Sequence, residues 1–296
     1  MTKTIVIVAV IVAIIAAFII TGGTPPPKSN PPGAFSFAVL GDAPYYFWEE
    51  LQFRLVLRAI NEHELTEVIH VGDIFWKPCS DAMYRAFRNR FNRVKHPLIY
   101  TPGDNEWADC SERQAGGYEP LERLAALRRF FFADPAHSLG SRKIALISQG
   151  GAFVENARWQ HDGFVFATVH LLASDDAEAQ RRLSAAISWM RTAFAEAKNA
   201  RAVVIAYHAG LNRSASYEPF FVALEEEAAR FRRPVLIVHG DNHQFIVDRP
   251  FARARNITRM MVPGSHDVGW VRVIVRPGAA SPFAFESHVV PRWKYW

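Results

Sequence analysis

Four times in this chain an apolar run closes on the same dipeptide: AVLGD at Asp42, IHVGD at Asp73, LIYTPGD at Asp104 and VLIVHGD at Asp241. With 17 Gly and 12 Asp in 296 residues, fewer than one Gly-Asp pair is expected by chance. A short run rich in β-branched residues that stops at a glycine reads as a buried strand with a sharp exit. Strands of this kind, alternating with amphipathic segments, predict a layered sheet covered by helices. In open sheets of that class the carboxyl ends of the strands line the ligand crevice. The four aspartates are therefore expected at one edge, each preceding glycine giving the turn that aims a carboxylate inward.

The intervening pattern fits that frame. Strands are predicted over 35–40, 68–71, 98–101, 165–170, 203–208 and 235–239, and helices over 48–62, 81–91, 119–131, 175–198 and 217–231. Beyond His243 the sequence turns wholly extended, over 245–247, 259–262, 268–275 and 283–289. There is no internal repeat and no second linker, so 34–296 reads as one domain.

Ahead of it, residues 5–20 are wholly apolar with Lys3 on the near side, the pattern of a signal peptide or membrane anchor over 1–21. Lys3 argues that the amino end stays inside and the rest is exported. The only small-residue cleavage candidate is Thr21-Gly22-Gly23, which favours an uncleaved anchor facing the periplasm or exterior; cleavage would give a secreted form. Residues 22–33, rich in Pro and Gly, read as a linker. In an exported protein the two cysteines, Cys79 and Cys110, are expected to pair and tie together the loops after VGDIF and GDNEW. Two separate buried thiols are the alternative.

The net charge of +5 comes from dispersed arginines such as Arg181, Arg182, Arg232 and Arg233, which suit solvated helix faces and an anionic substrate or lipid headgroup. No Lys/Arg run alternates with aromatics, so no nucleic-acid duplex is expected as partner. The absence of Gly-x-Ser-x-Gly and of Gly-x-x-x-x-Gly-Lys argues against serine hydrolases and nucleoside triphosphatases.

Two further strand-end residues, His208 in VVIAYHAG and His243 in GDNHQF, are expected to join the aspartates. Carboxylates brought so close repel one another unless cations lie between them. In order and spacing these segments resemble the calcineurin-like metallophosphoesterase superfamily, whose motifs run Asp-x-His, Gly-Asp, Gly-Asn-His-Glu, a lone His and Gly-His-x-His. Here the positions read Asp42-Ala43-Pro44, Gly72-Asp73, Gly103-Asp104-Asn105-Glu106, His208 and Gly240-Asp241-Asn242-His243. Pro44, Asn105 and Asp241 stand where the family has histidine. The GDNEW stretch followed by a cysteine looks like an exported bacterial subgroup.

The resemblance implies an α/β two-sheet sandwich flanked by helices. It also implies a centre for one or two divalent ions (Mn, Fe, Mg, Ca or Zn) and hydrolysis of a phosphorylated small molecule or ester by metal-bound hydroxide. Asp73 would bridge the ions, with Asp42 and His243 on one. His208, Asp241 and an oxygen of Asp104 or Asn105 would serve the other. Because Asn105 replaces the family's catalytic histidine and an amide cannot donate a proton to an alkoxide, Glu106 is the nearest candidate acid; otherwise it caps a turn or holds a ligand. His170 is a further catalytic candidate or a hydrogen-bonded core residue, while His70 and His239 are expected to be packed or supporting groups. Trp107 and the 45–48 aromatics are expected to wall an apolar rim or simply fill core. The missing histidines leave a non-catalytic, ligand-binding member as the alternative.

Overall fold

The structure is a computed structural model describing residues 29–76, 78–171, 177–211 and 216–291. The predicted anchor, over 1–21, and the first part of the linker lie outside these residues. Among the described residues, no helix is long and apolar enough to cross a membrane.

The first strands are β1 (Phe35–Leu40), β2 (Val68–His70), β3 (Leu98–Tyr100), β4 (Ile147–Ser148), β5 (Ala157–His161) and β6 (Phe164–Thr168). They are followed by β7 (Ala202–Ala206), β8 (Val235–His239), β9 (Ile246–Asp248), β10 (Ile257–Met261), β11 (Gly269–Val275) and β12 (Phe283–Val289). Helices α1 (Glu49–Asn61), α2 (Asp81–Phe91), α3 (Pro120–Phe131), α4 (Ala177–Glu196) and α5 (Glu218–Phe231) alternate with them. The strands form a five-stranded sheet, β12-β11-β1-β2-β3, and a seven-stranded one, β4-β5-β6-β7-β8-β10-β9. This is the expected α/β two-sheet sandwich flanked by helices.

Period-two alternation assigns the faces. In β1, Phe35, Phe37 and Val39 point between the sheets, where they meet Phe166, Val204, Leu236, Val238 and Met260. Ala38 and Leu40 point the other way, onto Phe53, Val56 and Ile60 of α1 and Phe87 and Phe91 of α2. Helices α4 and α5 cover the second sheet in the same manner, through Met190, Phe220 and Leu224. Each such fully buried side chain contributes about 1.5–3 kcal/mol. With both faces covered, the central strands β1, β2, β3, β7 and β8 are buried throughout, as parallel strands commonly are.

Strands β1, β2 and β3 run parallel, as do β6, β7, β8 and β10. Their carboxyl ends meet along one edge. At the opposite edge, where β1 begins, Asn30 Oδ1 accepts bonds from Ser36 Oγ (2.6 Å) and an Arg272 guanidinium nitrogen (2.9 Å), which fixes where the chain enters the sandwich. The bond predicted between Cys79 and Cys110 is present, with a Cα–Cα distance of 5.7 Å.

The sequence reading gave no element between α3 and β6, where the structure has β4 and β5. Strand β5, ARWQH, pairs antiparallel with β6, and Trp159 stacks on Phe166 with ring centroids 5.2 Å apart. Its polar members conceal the strand: Arg158 is buried, ion-paired with Glu196 and lying 4.5 Å over the Trp189 ring. Elsewhere the predicted strands overrun, because the chain leaves the ladder at Thr168 and Ala206, so His170 and His208 lie on the turns beyond.

Candidate metal centre

The Gly-Asp turns work differently from the expectation. It is the aspartates themselves that take the left-handed conformation, with φ of +55° at Asp42 and Asp73 and +77° at Asp241; His243 joins them at +59°. Aspartate tolerates this region better than most residues, at a cost of roughly 1–2 kcal/mol each. Of the preceding glycines only Gly72 is also left-handed, with φ of +98°, and Gly103 and Gly240 instead make room. A Cβ on Gly103 would lie 2.1 Å from Asp73 Oδ1, and one on Gly240 would lie 2.4 Å from Asp42 Oδ2. Each glycine is thus the wall against which a neighbouring loop's carboxylate packs.

These turns bring six of the predicted residues together. Asp42, Asp73 and His208 offer donor atoms all within 4.8 Å of one another, and so do Asp104, His208 and Asp241. His208 is common to both groups. Its Nδ1 donates to the Val71 carbonyl at 2.8 Å, which fixes the tautomer and turns Nε2 toward Asp73 Oδ1 (3.4 Å) and Asp104 Oδ1 (3.5 Å). Asp42 is fully buried; its Oδ1 accepts the Asp241 N–H at 2.9 Å and lies 3.9 Å from His243 Nε2. Asp42 Oδ2 and His208 Nε2 are both buried without a hydrogen-bond partner among the described residues. Such a pair of orphaned atoms is expected where a ligand completes the site.

Electrostatics follow from crowding. Burial pushes the Asp42 carboxyl up to about 7, opposed by the charge of His208. Burial likewise holds Asp73 well above the carboxylate range. Burial would lower His208, but Asp73, Asp104 and Asp42 outweigh it and hold the imidazole well above its ordinary value. Asp104 goes the other way: its burial is overcome by the adjacent His208, whose Nε2 is 3.5 Å away, and it is kept below the usual range.

The remaining predicted site residues occupy other roles. Asn105 is buried and donates its backbone N–H toward Asp73 Oδ1 (3.2 Å) and Asp104 Oδ1 (3.1 Å), while its side-chain Nδ2 has no partner among the described residues. Glu106 is fully buried, with Oε1 accepting from Ile74 N (2.6 Å) and Oε2 from Gly103 N (2.9 Å), so it joins the second and third Gly-Asp loops. Burial raises its carboxyl to about 7. His170 is not at the cluster. Its Nε2 accepts from Trp107 Nε1 (3.1 Å) and its Nδ1 bonds Glu155 Oε1 (2.9 Å), so both ring nitrogens are engaged and the catalytic expectation gives way to the core one. Trp107 is buried on that histidine and walls no rim. His239 stacks on Tyr207, with ring centroids 5.5 Å apart, as a packed residue.

Sequence reasoning took Tyr45 for a rim or core aromatic and missed Glu49 altogether. The Tyr45 hydroxyl donates a short hydrogen bond to Asp73 Oδ2. Glu49, buried, accepts from Tyr45 N (2.8 Å) through Oε2, and from Ser265 Oγ (2.9 Å) and His266 N (2.8 Å) through Oε1. A signal for Glu49 was present: it shares the buried face of α1 with Phe53, Val56 and Ile60, an acid on an apolar stripe.

The two-sheet fold carries an edge of carboxylates and histidine able to hold metal ions. Residues 35–245 match the calcineurin-like phosphoesterase family, and the chain belongs to it. No curated protein matches the chain. Among solved structures, the protein TT1561 of Thermus thermophilus aligns over 86% of this chain and 99% of its own at 12% identity, with a TM-score of 0.47. A phosphatase of Mycoplasma pneumoniae aligns over 87% and 93% at 11% identity, with a TM-score of 0.48.

Proposed function

We propose that this protein is an exported, metal-dependent phosphoesterase whose catalytic domain spans 34–296, carried behind a membrane anchor over 1–21. The observation that supports it most is the buried, unpartnered Nε2 of His208 aimed at Asp73 and Asp104. An imidazole nitrogen has one lone pair and serves one ion, whereas a carboxylate has two oxygens. In this reading Asp73 would bridge the ions, Asp42 and His243 would hold one, and His208, Asp104 and Asp241 would hold the other. The predominance of carboxylate oxygen favours Mn, Fe or Mg over Zn. Ions bound there would polarise the phosphate ester, offset its developing charge and activate the attacking water. The disulfide supports the exported setting, since such bonds persist in oxidising compartments. Pro44, Asn105 and Asp241 in histidine positions favour a second reading, a family member that binds a phosphorylated ligand without turning it over.

Calorimetric titration with Mn(II), paired with nitrophenyl phosphate hydrolysis, tests the proposal. Asp42, raised to about 7 by burial, carries a proton below that pH which an ion must displace. Affinity should therefore weaken as the pH falls, by up to about tenfold per unit for each proton displaced, with the raised Asp73 and His208 adding theirs to that of Asp42. Turnover should rise with Mn(II) and vanish on chelation. Mn(II) binding without hydrolysis would select the second reading, and no binding would reject both.

In this reading the Asn105 amide donates to a phosphoryl oxygen, and Glu106 positions the loops bearing Asp73 and Asp104. Glu106→Gln sets an NH2 group against one of two backbone donors and leaves a buried N–H unpaired, at a cost of about 1–3 kcal/mol. Hydrolysis of alkyl phosphate and of nitrophenyl phosphate should then fall by the same factor. A loss confined to the alkyl ester, whose leaving group needs a proton, would restore Glu106 as the acid.

A further inference from the structure

We propose that the phenolic oxygen of Tyr45 is a ligand of the ion held by Asp42, Asp73 and His243, filling the place that Pro44 leaves open; this rests on the reading of the site as a metal centre. The two oxygens of Asp73 face different groups. Oδ1 lies 3.4 Å from His208 Nε2, whereas Oδ2 is the acceptor of the Tyr45 hydroxyl. Tyr45 thus stands on the side of Asp73 away from His208. His243 is its neighbour: its ring meets the Tyr45 ring edge-on, with centroids 5.2 Å apart at 71°, and its Nε2 lies 3.9 Å from Asp42 Oδ1. These contacts link Asp73, Tyr45, His243 and Asp42 into one chain of oxygen and nitrogen donors.

The tyrosine is held for this task. Its backbone N–H is fixed by Glu49 Oε2 at 2.8 Å, and the other oxygen of Glu49 ties down the 265–266 turn. That turn is linked in turn to Asp42, whose carbonyl accepts the Ser265 N–H at 2.7 Å. One buried carboxylate thereby sets Tyr45 and Asp42 in a common frame, and such supporting groups are what orient a ligand. To serve as a ligand the phenol would have to give up its proton to solvent, which burial and the charges of Asp73 and Asp42 oppose; a cation held beside Asp73 would supply the compensating charge. Exchanging imidazole for phenolate makes that side of the centre harder, which suits iron or manganese better than zinc.

Wild-type protein and Tyr45→Phe distinguish a ligand from a simple hydrogen-bond donor to Asp73. Phenylalanine keeps the ring packing, and equal melting temperatures of the metal-free proteins establish that the variant folds. Titrated with Mn(II), the variant should bind one ion at least about tenfold more weakly. Loaded with ferric iron, the wild type should show a visible phenolate-to-iron charge-transfer band that Tyr45→Phe lacks. This arm needs only the wild type to be decisive: iron bound without the band overturns the inference, as does unchanged Mn(II) affinity in the variant. Failure of both proteins to bind either ion rejects the metal centre itself and the inference with it.

Discussion

Replacing His208 by Ala should lower hydrolysis of nitrophenyl phosphate by on the order of a thousandfold, because metal-ion stabilisation contributes several kcal/mol and each 1.36 kcal/mol is tenfold in rate. In the proposed centre this residue supplies a buried nitrogen ligand to one ion, through the tautomer that the Val71 carbonyl fixes. The same change removes the countercharge that lies within 3.9 Å of Asp42 and closer still to Asp73 and Asp104. The metal-free variant should therefore also melt at a lower temperature, and added Mn(II) should recover less of that loss than in the wild type. Wild-type turnover in His208→Ala would remove the residue from the centre.

The second large effect concerns stability. Cys79 and Cys110 are 31 residues apart, and the chain-entropy estimate for a closed loop of that size is about 3–4 kcal/mol. Replacing both by Ala should lower the melting temperature by on the order of 10 °C. The bond lies beside the metal loops, since Cys110 follows Asn105 and Glu106 by a short turn. Loss of the bond should therefore weaken Mn(II) binding as well as folding. A melting temperature unchanged in the double variant would show that packing alone holds these loops.

Much of the fold was legible because its local and global demands agree. Strands β1, β8 and β12 fall on the expected residues, and α2 does so at both ends, where the Ser80 side chain accepts from Met83 N as a cap. Strand β5 was illegible because Arg158 is buried by virtue of Glu196 and Trp189, partners more than 30 residues away along the chain that no local pattern announces. The site divides the same way. Repetition of Gly-Asp at strand ends exposed Asp42, Asp73, Asp104 and Asp241, although the reason for the glycines is steric contact across loops, visible only once the loops meet. Tyr45 was read only as a rim or core aromatic, and Glu49 escaped notice, because their meaning depends on distant segments: Asp73 for one, the 265–266 turn for the other. His170 misled for the converse reason: a histidine at the end of a strand aimed at the right edge is captured by Trp107 and Glu155 before reaching it.

The entry point of the chain at Asn30 has a geometric corollary for an anchored enzyme. From Phe35 to Asp42 the first strand and its exit cross the domain, a span of about 20 Å at about 3.3 Å per residue. The described chain thus begins at the floor of the sandwich, while the cluster of carboxylates opens on the far side. Whatever the domain is joined to through that end is tied on the side away from the cluster, and substitutions made there leave the approach to Asp42 and Asp73 untouched.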